Sequence, residues 1–186
     1  MTLKGGPGHF WETMLMKDVI FVDSLQYIPL AVGIIWAIVQ FVPEMNHKCL
    51  KLTLHLPCSH LKLVYSMLIS GFVLLLSCFV LNFLLIYGFF SMYFAPELVS
   101  HIMWSAYPWY IAGMAAYLLF AWICLEPTWK LRIFNMVVSC FLLKIFFVSN
   151  QPESYRPLIL TLIISTLLLA SLPWLSVVRF KEGKQD

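Results

Sequence analysis

Charge is scarce in this chain. Twelve Lys and Arg and nine Asp and Glu are spread over 186 residues, while 61% of positions are hydrophobic. A mean hydropathy of +0.86 excludes an ordinary water-soluble domain of this length. The catalytic signatures are missing as well. There is no G-x-x-x-x-G-K-[ST] loop, so the chain cannot itself bind and hydrolyse ATP by that route. A nucleophile elbow, an H-E-x-x-H helix and paired intramembrane carboxylates are also absent. The sequence therefore points to no enzyme, no cofactor and no nucleic-acid partner. Five cysteines, an odd count, form no disulfide framework, and Cys78, Cys124 and Cys140 fall in apolar runs where a thiol packs as a small apolar group. Nor does the start read as a signal peptide, because Glu12, Lys17 and Asp18 interrupt its apolar residues.

What is present is hydrocarbon in long stretches. A helix needs about 17 to 25 apolar residues to cross a bilayer, where the backbone must satisfy its own hydrogen bonds. Five stretches qualify, predicting an all-α integral membrane protein with about five transmembrane helices in one bundle. They fall at residues 25–42, 63 onwards, 107–125, 133–148 and 158–178. The second stays uncharged to residue 95, about 50 Å of helix, so it must tilt, project from the membrane or break near Gly88. Residues 1–23 read as an amphipathic interfacial segment, 24–178 as the transmembrane domain, and 179–186 as a basic tail.

Lysine and arginine set the orientation. Lys48, Lys51 and Lys62 follow the first span, Lys130 and Arg132 the third, and Arg179, Lys181 and Lys184 the last, which places these ends and the C-terminus in the cytoplasm. The stretch "PELVSHIMWSA" has neither residue and is expected as an outer loop; the segment before the fifth span has only Arg156. Tyr93, Trp104, Tyr107, Trp109, Tyr110 and Tyr155 form the expected outer aromatic belt, and Trp122, Trp129 and Trp174 the inner one. Lys144 is the one charge inside a span, close enough to its outer end for the side chain to snorkel to the interface. In "AGMAA", Ala112, Gly113 and Ala116 make a face for close helix contact.

The basic stretch "NHKCLKLTLHLPCSHLK" collects His47, Cys49, His55, Cys58 and His60. These are metal-ligand types, but their spacing is not that of a structural zinc site, and Pro57 is expected to bend the chain between His55 and Cys58. A loop whose histidines lie among lysines at lipid headgroups accounts for them without a metal. Haem between helices would need imidazoles within the spans, and none of the five histidines lies there.

From Glu44 to Leu68 the order is an acidic residue after a span, basic residues, Thr-Leu-x-Leu-Pro, a small polar residue and a long span. This resembles the loop between the second and third spans of type-2 ABC exporter permeases. The resemblance implies that loop 44–62 is a coupling element, with Glu44, Thr53, Leu54, Leu56, Pro57 and Ser59 at its matching positions and Lys51 among the lysines that would reach acidic residues of the partner. His60 stands where the family has arginine, and Leu52 where it often has glycine. It further implies an export permease of the inner (cytoplasmic) membrane, a cytoplasmic ABC ATPase subunit as partner, and a second permease subunit or homodimer. Such permeases have six spans, so the chain would lack the first. Two other readings stay open: a membrane anchor or quinone-interacting subunit of a respiratory complex, using "HIMWSAYPWY", and a metal-handling membrane protein using the histidines and cysteines above.

Overall fold

The computed structural model describes residues 26–46, 60–148 and 155–181. Among them there is no strand, and every long element is a helix. We number the helices α1 (Tyr27–Asn46), α2 (His60–Tyr93), α3 (Pro96–Leu125), α4 (Trp129–Lys144), α5 (Ile159–Leu169) and α6 (Leu172–Lys181). Single 3-10 turns follow α4 at Ile145–Phe147 and precede α5 at Arg156–Leu158. Since α5 and α6 join end to end through Ala170 and Ser171, the described residues make five helical rods.

Three rods are long and apolar enough to cross a membrane: Val64–Tyr93, Pro96–Leu125 and Arg156–Arg179. That is the pattern of a multi-pass membrane protein. The expected five spans are thus reduced. The apolar part of α1, Tyr27–Pro43, is shorter, and α4 is a 16-residue helix that begins at Trp129 and carries Lys130 and Arg132 in its first turn. At about 1.5 Å per residue α4 rises only about 24 Å.

The long uncharged run does not break. α2 passes through Gly88 as one helix, because a single helical glycine costs only about 1 kcal/mol and its neighbours Ile86 and Phe90 pack against buried Leu98, Val99, Ile102 and Met103. "PELVSHIMWSA" is likewise no loop. It is the start of α3, opened by Pro96 at the position where a missing N–H costs nothing, and α2 turns into α3 at Phe94 and Ala95. From Trp104 to Leu125 α3 rises about 32 Å, close to the roughly 30 Å of bilayer hydrocarbon. The hairpin therefore continues about nine residues beyond the level of Trp104.

α3 is the axis of the bundle. It is buried almost all round, and the other rods pack on it while presenting leucine, isoleucine and phenylalanine outward. Such inversion suits a lipid environment, where a helix need not hide its apolar surface. Trp109 and Trp122 are buried on this axis, so they are not belt residues, whereas Trp104, Trp129 and Trp174 are exposed as expected.

The close crossing of α1 and α3 depends on two glycines. A β-carbon on Gly33 would overlap the Gly113 carbonyl oxygen, and one on Gly113 would come within 2.6 Å of the Pro29 oxygen and 2.8 Å of the Phe79 ring. Ala112, Ala116 and Ala37 are fully buried nearby, so "AGMAA" is the contact face its small residues predicted.

The basic ends lie together. Lys62 starts α2, Lys130 and Arg132 start α4, and Arg179 lies in the last turn of α6, beside the end of α3. Tyr27 and Phe147 stack at the opposite end, their ring centroids 5.4 Å apart. Lys144 is exposed in the last turn of α4, toward that same end.

Candidate functional site

Glu44 closes α1, and His60 opens α2. Lys51, Thr53, Leu54, Leu56, Pro57 and Ser59, like His47, Cys49, His55 and Cys58, lie outside the described residues, as do segment 1–23 and tail residues 182–186. Among the described residues no group of three metal-ligating side chains gathers. Cys78 and Cys140 are exposed, and Cys124 is half-buried; all three are free thiols.

What the structure does resolve is how the two helices that flank the basic loop are tied. Gln40, one turn before Glu44, donates its side-chain N–H to the Met67 carbonyl of α2 at 2.7 Å. The Tyr117 hydroxyl of α3 lies against both partners, 3.0 Å from Gln40 Oε1 and 3.1 Å from the Leu68 carbonyl oxygen. Tyr117 is fully buried, among Phe41, Leu68 and Phe72. Gly71 makes room for this junction, since a β-carbon there would overlap Gln40 Oε1 and the Tyr117 hydroxyl. One side-chain triangle thus joins three helices within an apolar core. In such surroundings a polar group left without its partner costs about 1–3 kcal/mol.

Tyr117→Phe removes the hydroxyl and keeps the ring. It is expected to lower the unfolding free energy by about 1–2 kcal/mol, read from thermal unfolding in detergent, with no change in helix content by circular dichroism. A melting temperature equal to wild type would show that the hydroxyl does not hold the junction.

A second polar junction sits where α3 ends. Glu126 follows Leu125 as the helix cap, and Pro127 prevents the helix from continuing. Its carboxylate is fully buried. Ser176 donates to Oε2 at 2.5 Å and Asn135 at 3.4 Å, while Thr128 donates to Oε1 at 3.2 Å. The half-exposed guanidinium of Arg179 lies 3.4 Å from Oε2. Arg132 donates to the Glu126 carbonyl oxygen at 2.8 Å, and its guanidinium carbon lies 5.7 Å from the Trp129 ring centroid. α3, α4 and α6 are fastened here at a single residue.

The rod through α5 and α6 bends to reach it. Pro173 lacks an N–H, and its ring would clash with the Leu169 carbonyl of a continuous helix, so the chain turns at Ala170 and Ser171 before α6 delivers Ser176 and Arg179.

Neither junction stands out in the sequence. Gln40 and Tyr117 are uncharged residues within apolar runs, and Glu126 looks like an ordinary loop acid. The available signals were a glutamine inside a span and the Glu-Pro pair at a span end. No family model, curated protein or solved structure matches this chain.

Proposed function

We propose that the chain is the membrane-spanning permease subunit of an ATP-driven ABC exporter, acting with a cytoplasmic ATPase subunit and a second permease copy. The reading starts from the resemblance of Glu44 to Leu68 to the coupling element of such permeases. The observation that carries it further is the Gln40–Met67 and Tyr117–Leu68 bonding. A loop that receives force from a partner is useful only if its flanking helices move together. Here they are tied to one another and to the central rod about two turns from the loop. A push on residues 47–59 is then passed to α1, α2 and α3 at once instead of being absorbed as fraying of one helix end. The basic ends face the cytoplasm in this reading, and the ATPase docks there.

The loop residues have separable tasks. Leu54 and Leu56 offer apolar contact, Lys51 offers charge, and Glu44, Thr53, Pro57 and Ser59 are the remaining positions of the resemblance. Leu54→Glu puts a charge into a contact that excludes water. It is expected to detach the ATPase and so abolish ATP-dependent transport, while leaving the melting temperature of the isolated chain unchanged. Unaltered transport by the variant would refute the coupling role.

A further inference from the structure

α2 carries an amide that lipid cannot satisfy. Asn82 is exposed on this helix, and the Tyr110 hydroxyl of α3 donates to its Oδ1 at 2.6 Å. Tyr110 lies six residues along α3 from Trp104, which puts Asn82 about 9 Å inside the level where the hydrocarbon begins. Among the described residues no group accepts a hydrogen bond from its side-chain N–H groups. Acyl chains offer no acceptor at that depth, and an amide donor in hydrocarbon is costly until it finds one. The acceptor has to come from another protein segment within the membrane.

The same side of α2 has the pattern of a helix-pairing seam. Leu74, Cys78, Leu81, Leu85 and Met92 follow one another at intervals of four, three, four and seven, the repeat that keeps one edge facing a parallel neighbour. The four apolar side chains are 54% to 81% exposed, and Cys78 is an exposed free thiol. Met92 continues the seam past Trp104, beside Phe90 and Phe94, which pack on Leu98 and Val99. Lipid tails do not reach that level. Asn82 and Ser77 flank the seam on its two edges, five residues apart, the spacing at which flanking side chains meet across a parallel helix pair. Ser77 is exposed and donates its own hydroxyl to the Leu74 carbonyl at 2.7 Å, so its oxygen is left as an acceptor. Two copies inserted in the same sense are related by a twofold axis along the bilayer normal, and each then brings a Ser77 to the other's Asn82. The face is complementary to itself.

From this arrangement we infer that α2 pairs in parallel with α2 of a second copy of this chain, along the seam from Leu74 to Met92, with Asn82 of each copy donating to Ser77 of the other. Apolar packing supplies the contact, and the two amide bonds fix its register. This goes beyond the transport reading, which names no face for its second copy, and it needs no ATPase to hold.

The test uses the full chain, with Cys49→Ser and Cys58→Ser, in phosphatidylcholine vesicles. Copper phenanthroline and air oxidise neighbouring thiols, and the products are separated on a non-reducing gel. A disulfide dimer should form through Cys78, so Cys78→Ser should abolish it and Cys140→Ser should leave it unchanged. Strength of association is read separately, as energy transfer between copies labelled at the C-terminus while the lipid is increased. Asn82→Leu should weaken association about ten-fold, the loss expected of two interhelical hydrogen bonds, and Ser77→Ala should do the same. Tyr110→Phe cuts the bond within one copy and spares the contact, so it should associate as the wild type does. Energy transfer no higher than that of randomly mixed monomers would overturn the pairing. So would a dimer carried by Cys140 in place of Cys78, or undiminished association of an Asn82→Leu variant that elutes as the wild type. Since no ATPase enters the experiment, these outcomes leave the transport reading to its own test.

Discussion

Replacing Glu126 with alanine is expected to destabilise the chain by about 3 kcal/mol, seen in detergent as a fall in melting temperature of about 6 to 12 °C. The carboxylate is fully buried, and it is the acceptor for Ser176 and Asn135, which are buried with it. Removing it leaves two buried donors unpaired, each at about 1–3 kcal/mol. Arg179 adds less, because its side chain is 36% exposed and can turn to water when its partner is lost. Glu126→Gln keeps an oxygen for Ser176 and should cost about half as much. An alanine variant that melts with the wild type would show that α3, α4 and α6 are held together by apolar packing alone. The same experiment separates the junctions, since Glu126→Ala should leave the Gln40–Tyr117 triangle, about nine residues earlier along α3, intact.

Gly33→Val should be more damaging and should act on a different helix. Its β-carbon would fall on the Gly113 carbonyl oxygen, a backbone atom that cannot swing aside. Overpacking costs about 1–3 kcal/mol where side chains can yield, and more where only a shift of the whole helix relieves it. α1 would move off α3 and withdraw Gln40 from Met67 and Tyr117. The expected result is loss of a monodisperse peak on size exclusion, together with a melting temperature lowered beyond that of Tyr117→Phe. Gly88→Ala is the control: a β-carbon there meets nothing within 4 Å, and alanine is the better helix former, so it should be neutral or slightly stabilising. Equal behaviour of the two variants would mean that the α1–α3 crossing tolerates a wider spacing than the glycines set.

The lipid-facing character of the chain was legible from hydropathy, because in a membrane the constraint on the backbone is the same at every residue of a span. Span counts and ends were less so. Periodicity cannot show that "PELVSHIMWSA" continues a helix, since its charge and polar residues read equally as a loop; the packing of Leu98, Val99, Ile102 and Met103 on α2 decides it. The start of α4 was hidden for a related reason. Its apolar residues begin at Ile133, but the helix starts at Trp129, where Arg132 is bonded to the Glu126 carbonyl. The two polar junctions were hidden because each is made of residues far apart in sequence, such as Glu126 with Ser176 and Gln40 with Tyr117, that are unremarkable singly. The small-residue face at Ala112, Gly113 and Ala116 could be read in advance, although its partner Gly33 could not.

In the proposed function the segment between α1 and α2 engages a separate ATPase. The most direct measurement is gentle detergent purification of the chain from its native membrane, with mass-spectrometric identification and stoichiometry of what accompanies it. A stoichiometric subunit bearing a Walker A loop, present with the wild type and lost with Leu54→Glu, is the predicted result. Recovery of redox subunits, or of the chain alone with metal bound at the loop histidines and cysteines, would contradict it.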